Sequence, residues 1–146
     1  MFNLKLNFEL VPDGCWYSNL RSILSKSDWD YIKQAVKKEA KGKCKICGTN
    51  SKVLHAHEVW NYDEEKGIQK LEKVIAICPD CHSVIHIGYT QLKGDVLRAE
   101  EHFMKVNECS YAEYRQALGK ANEEHQRRNK VSEWSLDLSW LNDFEG

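Results

Sequence analysis

A chain of 146 residues with 42% hydrophobic side chains is long enough to bury a core of its own, which points to a single domain over residues 1–146. Its 21 basic and 22 acidic side chains nearly cancel, and a net charge of −1 excludes nucleic-acid binding driven by bulk charge alone. No apolar run approaches the length of a membrane helix and no leader-like stretch follows Met1, so a cytoplasmic protein without membrane contact is expected.

The N-terminus alternates: Phe2, Leu4, Leu6, Phe8 and Leu10 are apolar, and the residues between them are polar. That period of two predicts a half-buried strand over residues 2–10. Pro12-Asp13-Gly14 predicts a turn. Arg21 follows in Asn19-Leu20-Arg21, as a phosphate contact or a structural ion pair. Ser27 is the expected cap of a helix reaching about Lys41, with Trp29, Ile32, Val36 and Ala40 on one stripe and Gly42 past its end. Residues 52–60 predict a strand carrying His55, His57 and Glu58, with Trp60 in the core. Asn61 to Lys70 reads as an acidic polar loop. Val74-Ile75-Ala76-Ile77 is a short buried strand, and Pro79 suits the first position of a helix holding Cys81, His82, Ile85 and His86, stopped by Gly88.

Two more helices are expected. One starts near Asp95, with Val96, Ala99, Phe103 and Val106 on its apolar stripe; the other opens on the capping box Ser110-x-x-Glu113, with Tyr111, Tyr114, Leu118, Ala121 and His125 at 3,4,3,4 spacing on one face. His102 and His125 fall on these helices as packing or surface residues. Trp134, Leu136, Leu138 and Trp140 alternate again and predict a terminal strand. A lone amphipathic strand needs a partner, so residues 2–10 are expected to pair antiparallel with about 133–140.

The most specific signal is Cys44-x-x-Cys47 and Cys78-x-x-Cys81, with 30 residues between the pairs. Four thiolates in two tight knuckles suit a tetrahedral structural zinc better than a pair of redox dithiols or disulfides. Thiolate zinc fits a reducing compartment. Cys15 and Cys109 are left as ordinary buried thiols.

The histidines suggest a second site. His82 follows Cys81 directly, and His86 lies four residues on, so both project from one helix face. A strand packed on that helix can bring His57 over them, which would make a nitrogen-rich metal site beside the zinc. His55 shares the strand face of His57 and is a further ligand or base. Lys33, Lys37, Lys38, Lys41, Lys43 and Lys45 fall within thirteen residues, with Glu39 the only acid among them. They form a solvated helix face or, at Lys41, Lys43 and Lys45, contacts to phosphate. Arg127, Arg128 and Lys130 form a smaller basic cluster.

From residue 44 to residue 88 the chain resembles the HNH, or His-Me finger, endonucleases: the two Cys knuckles, His57-Glu58-Val59, and Cys78-Pro79-Asp80-Cys81-His82-Ser83-Val84-Ile85-His86 carry the likeness. Trp16 to Arg21 and the tail from Trp134 to Leu141 are similar to segments of small HNH-type proteins. The resemblance implies an α+β fold with a ββα-metal core stapled by a four-cysteine zinc site. It implies hydrolysis of phosphodiester bonds in nucleic acid, with DNA favoured, and a catalytic divalent ion (Mg²⁺, Mn²⁺, Ni²⁺ or Zn²⁺). His57, His82 and His86 would be its ligands, and Glu58 would stand at the position of the general base. Lys73 would stand where the family often has Asn, and could bind phosphate instead. Glu58 and Lys73 both depart from the family's usual His and Asn. The alternative expectation is therefore a catalytically inactive, zinc-stabilised ββα module that binds nucleic acid or a protein partner.

Overall fold

The computed structural model describes residues 4–142. Its architecture is α+β: among the described residues, six helices surround a three-stranded sheet. The sheet centres on a long hairpin, β1 (His55–Asp63) and β2 (Ile68–Ile77), paired antiparallel from His55↔Ile77 to Asp63↔Ile68. The acidic stretch expected as loop is thus mostly strand. Tyr62 and Gln69 are buried within it, and only the turn around Gly67 lies outside the ladder. Gly67 has φ +66°, and a Cβ there would lie 2.9 Å from the Glu133 carbonyl oxygen. Midway along the hairpin the register shifts between Val59 and Trp60, so that Lys73 faces Val59 and Leu71 faces Trp60. Such a bulge bends the strand and re-aims its side chains.

The predicted pairing of the chain ends does not form. The third strand, β3 (Ser135–Asp137), pairs parallel with Ile68–Lys70 of β2. Residues 2 and 3 lie outside the described part, and residues 4–10 belong to no strand. Their backbone is served by other groups. Lys5 and Leu6 donate to Asn107 Oδ1 at 2.9 and 3.0 Å, Asn107 Nδ2 donates to the Leu6 carbonyl, and Glu9 N donates to the Ile85 carbonyl at 2.9 Å. The apolar alternation is satisfied without a sheet: Leu6 is fully buried, and Phe8 stacks on Phe103 with centroids 5.0 Å apart. At the other end, Leu136 is exposed, and the chain turns into a short 3-10 segment at Ser139–Asn142 rather than continuing as strand.

Helix α1 (Leu20–Ile23) is a single turn, capped by Asn19 Oδ1 on the Ser22 amide. Helix α2 (Lys26–Ala40) starts two residues earlier than expected. Ser25, not Ser27, accepts the Asp28 amide and is the cap. Its stripe of Trp29, Ile32 and Val36 packs with Leu20, Leu71 and Val74 on one face of the hairpin. Helix α3 (Pro79–Ile85) begins at Pro79 as expected. The chain does not leave helix at Gly88. His86 departs from helical geometry (φ −98°, ψ 53°), the chain re-enters helix as α4 (Ile87–Lys93), and Gly94, at φ +85°, closes that helix. Helices α5 (Val96–Asn107) and α6 (Tyr111–Arg128) follow, the latter with the complete Ser110/Glu113 capping box. Ala99, Phe103, Tyr114 and Leu118 from these two helices meet Leu6, Ala76, Val84 and Ile85 in the main core, on the other face of the hairpin.

Candidate metal centres and the histidine cleft

The four cysteines converge where the knuckle after α2 meets the end of β2 and the start of α3. Cys44 and Cys81 Sγ are 3.8 Å apart, as are Cys47 and Cys78 Sγ. A tetrahedral ion with sulfurs at about 2.3 Å separates each pair of them by about 3.8 Å. The four therefore fit a zinc ion, and all six cysteines are free thiols rather than disulfides. Local structure builds the cage. Gly48 at φ +77° lets its amide return to the Cys44 carbonyl, the Cys44 amide donates to the Thr49 carbonyl, and Lys45 N donates to Ala76 O on β2. Cys78 caps α3, its sulfur accepting the Cys81 amide at 3.4 Å.

Burial raises the Cys78 thiol to about 11 and the Cys81 thiol further, because burial and neighbouring sulfur charge both oppose ionisation. Burial acts on Cys44 as well, but the amides of Cys47 and Ile46 point at its sulfur and bring it down to about 7. Ionising all four sulfurs together calls for a cation among them. His102 Nε2 lies 3.2 Å from Cys81 Sγ, so this histidine, expected as a packing or surface residue, adds a hydrogen bond to the sulfur.

The second constellation lies on the neighbouring side of α3. His57, His82 and His86 each bring one ring nitrogen within 4.8 Å of the others. The tertiary fold supplies this, since His57 comes from β1, His82 from within α3, and His86 from the break that ends it. Burial, followed by the neighbouring imidazoles, holds His82 down to about pKa 3; burial also lowers His86. These rings are neutral at physiological pH, the form in which an imidazole binds a metal. His55 stands beside the group rather than in it: its Nδ1 is 2.9 Å from His82 Nδ1. That contact orients the His82 ring.

Sequence reasoning missed Glu9. Its Oε2 lies 3.0 Å from His57 Nε2, and the pair is largely buried. A carboxylate on one ring nitrogen leaves the other free to face an ion and fixes the tautomer. The only sequence signal was an acid at a polar position of the N-terminal alternation, which read as a solvent-facing residue. Trp16 and Asn19 also enter here, together with Arg21, as walls of a cleft of about 340 Å³ that contains His57, Glu58, His82 and His86.

Glu58 points to the α1 side of β1. Its Oε1 accepts the Leu20 amide in a short hydrogen bond. Burial raises its carboxyl above the ordinary carboxylate range, partly offset by the Leu20 hydrogen bond and by the charges of His57 and Arg21. Arg21 is exposed and lines the cleft. Lys73 is exposed on β2 opposite Val59 and lies outside this cleft. Lys41, Lys43 and Lys45 surround Cys44 at the end of α2 and do not line it either. Arg127 and Arg128 form ion pairs with Glu64, a structural role for two of the three cations of that basic cluster. Trp60 packs against the α2 core as expected.

No protein-family model, curated protein or solved structure matches the chain.

Proposed function

We propose that this chain is a metal-dependent endonuclease of the HNH type, hydrolysing phosphodiester bonds in nucleic acid with DNA as the favoured polymer. The observation that carries this reading is the convergence of His57, His82 and His86 at the junction of a β-hairpin and the helix after it, in an open cleft and apart from the four thiolates. A hairpin, the helix after it and four clustered cysteines support reading residues 44–88 as a ββα-metal core that a zinc would staple. A divalent ion (Mg²⁺, Mn²⁺, Ni²⁺ or Zn²⁺) at the three histidines would polarise the scissile phosphate and stabilise the leaving oxygen. The zinc of the four cysteines would have no open position and would serve only the fold.

The chain's own groups divide the remaining work. Neutral His82 and His86 offer lone pairs, Glu9 holds the His57 ring, and His55 holds the His82 ring. Arg21 is placed to bind a phosphate oxygen in the cleft. Glu58 is the base: with Oε1 engaged by the Leu20 amide, Oε2 takes the proton of the attacking water. Its elevated pKa makes it a stronger base than a solvated carboxylate.

One observation favours a second reading. The Leu20 hydrogen bond already gives Glu58 the structural task of anchoring α1, as it would in an inactive module that binds nucleic acid or a protein. A supercoiled-plasmid nicking assay, repeated on RNA and run with each of the four ions, separates the two. Wild type is expected to cleave, and Ala at His57, His82 or His86 to abolish both ion binding and cleavage. Glu58→Gln is expected to bind the ion and lose about 10²–10⁴-fold in rate. No cleavage of either polymer with any ion replaces the enzymatic reading with the binding module.

A further inference from the structure

The imidazoles of His82 and His86 line two clefts, not one. The first, of about 340 Å³, carries Trp16 and Arg21 on its wall. The second, of about 550 Å³, is lined also by His55 and carries Tyr89 and Lys93. Trp29 and Trp60, which also line the first, belong to the α2 core; each cleft thus carries an exposed aromatic ring and one Lys or Arg. The rings are not core residues that happen to reach the surface: Trp16 is 61% exposed, its neighbour Tyr17 86%, and Tyr89 64%. Trp16 is nevertheless held, its Nε1 donating to the Val11 carbonyl at 3.3 Å, so its plane is presented without being buried. Lys93 Nζ lies 5.4 Å from the Tyr89 ring centroid, which keeps that cation beside its ring.

Resting on the proposed hydrolysis at the histidines, we propose that the substrate is a single-stranded segment of nucleic acid, threaded through both clefts. The scissile phosphate lies at the histidines and the flanking bases stack on Trp16 and Tyr89. Two physical reasons favour an unpaired strand. Bases in a duplex are already stacked on one another and offer no free face to an exposed ring, whereas every unpaired base does. A duplex binder also draws its affinity from neutralising many phosphates, and this chain, at net charge −1, puts only Arg21 and Lys93 beside the two clefts' aromatic rings. Stacking supplies affinity without charge. Arg21 and Lys93 then serve as one phosphate contact on each side of the cut.

The test is fluorescence anisotropy of the full chain carrying one zinc per molecule, enough for the four cysteines only, with labelled 12-nucleotide strands. DNA and RNA are each offered single-stranded and as duplex, with no added divalent ion, so that binding is read without turnover. Single strands are expected to bind more tightly than duplexes, and either polymer bound in this way supports the inference and names the sugar. Trp16→Ala and Tyr89→Ala should each weaken single-strand binding about 5- to 150-fold, and Trp16→Phe should retain most of it. Two phosphate contacts predict a logarithmic salt slope of about −1.4. Tyr89 stands exposed on α4, so its variant serves even if Trp16→Ala disturbs the turn at Val11. Duplex preferred over single strand, a slope steeper than about −4, both aromatic variants binding as wild type, or no binding at roughly 100 μM chain would each overturn the inference. A protein that binds single strands in this manner yet cuts nothing would keep it while refuting the endonuclease.

Discussion

Glu9→Ala tests whether the N-terminal segment belongs to the histidine site. In the folded protein Glu9 Oε2 accepts from His57 Nε2 at 3.0 Å, with His57 6% and Glu9 16% exposed. Truncation leaves a buried ring N–H with no acceptor, which costs about 1–3 kcal/mol. Viewed from the ion, losing the carboxylate that orients a histidine ligand weakens metal affinity about 10- to 100-fold, or about 1.4–2.7 kcal/mol. The two routes agree in size. Nickel titration by calorimetry on zinc-loaded protein reads this directly, with zinc content assayed before and after so that the cysteine site is known to be full. Glu9→Gln keeps an oxygen acceptor and should recover part of the loss. In the His57→Ala background, which holds no ion, adding Glu9→Ala should cost no further stability in urea, because the partner is already gone. Wild-type nickel affinity in Glu9→Ala, or equal losses for Ala and Gln, would refute the role; an additive double variant would show that Glu9 acts elsewhere.

Cys44→Ser or Cys78→Ser should lose the zinc and with it the cooperative melt, as should chelation, because binding of a structural zinc is folding free energy of about 10 kcal/mol or more. Full zinc content and an unchanged melting temperature would show the assignment to be wrong. Gly67→Ala places a Cβ 2.9 Å from the Glu133 carbonyl oxygen at φ +66°. It should lower stability in urea by at least about 1–2 kcal/mol from the left-handed backbone alone, and an unchanged midpoint would contradict the turn geometry. Burial pushes the Cys15 thiol up to about 11. At pH 8 the folded protein should hold about one thiolate in a thousand there, so Cys15 should resist iodoacetamide until pH rises toward 11 or the chain unfolds; rapid labelling at pH 8, followed by peptide mapping, would oppose its burial.

Much of the site could be read along the chain because its signals are local. Two Cys-x-x-Cys knuckles, a histidine after Cys81 and another four residues on describe bonds that form within a turn or two of backbone, and the structure places those six side chains as their spacing requires. Caps behave the same way: Pro79 opens α3, and Ser110 and Glu113 cap α6 reciprocally. One cap fell two residues from its expected place, with Ser25 capping α2 in place of Ser27.

Pairings across the chain were a different matter. Periodicity of two says that one face of a segment is apolar and does not say what covers it. Residues 4–10 found helix side chains and Asn107 instead of a strand, and Ser135–Asp137 joined β2 in parallel. The same ambiguity hid Glu9, which lies 48 residues before His57 in the chain and touches it in the fold. It also left Glu58 with the Leu20 amide as its partner, and put Trp16 and Tyr89 in two clefts that share one pair of histidines. Local chemistry in this protein was determined by the order of its residues, since a knuckle, a cap or a helical i,i+4 pair costs little chain entropy to close. The partners of its extended segments and the walls of its clefts were decided only by tertiary packing, because many distant groups could satisfy the same apolar face or buried donor, and only the packing of the whole core selects among them.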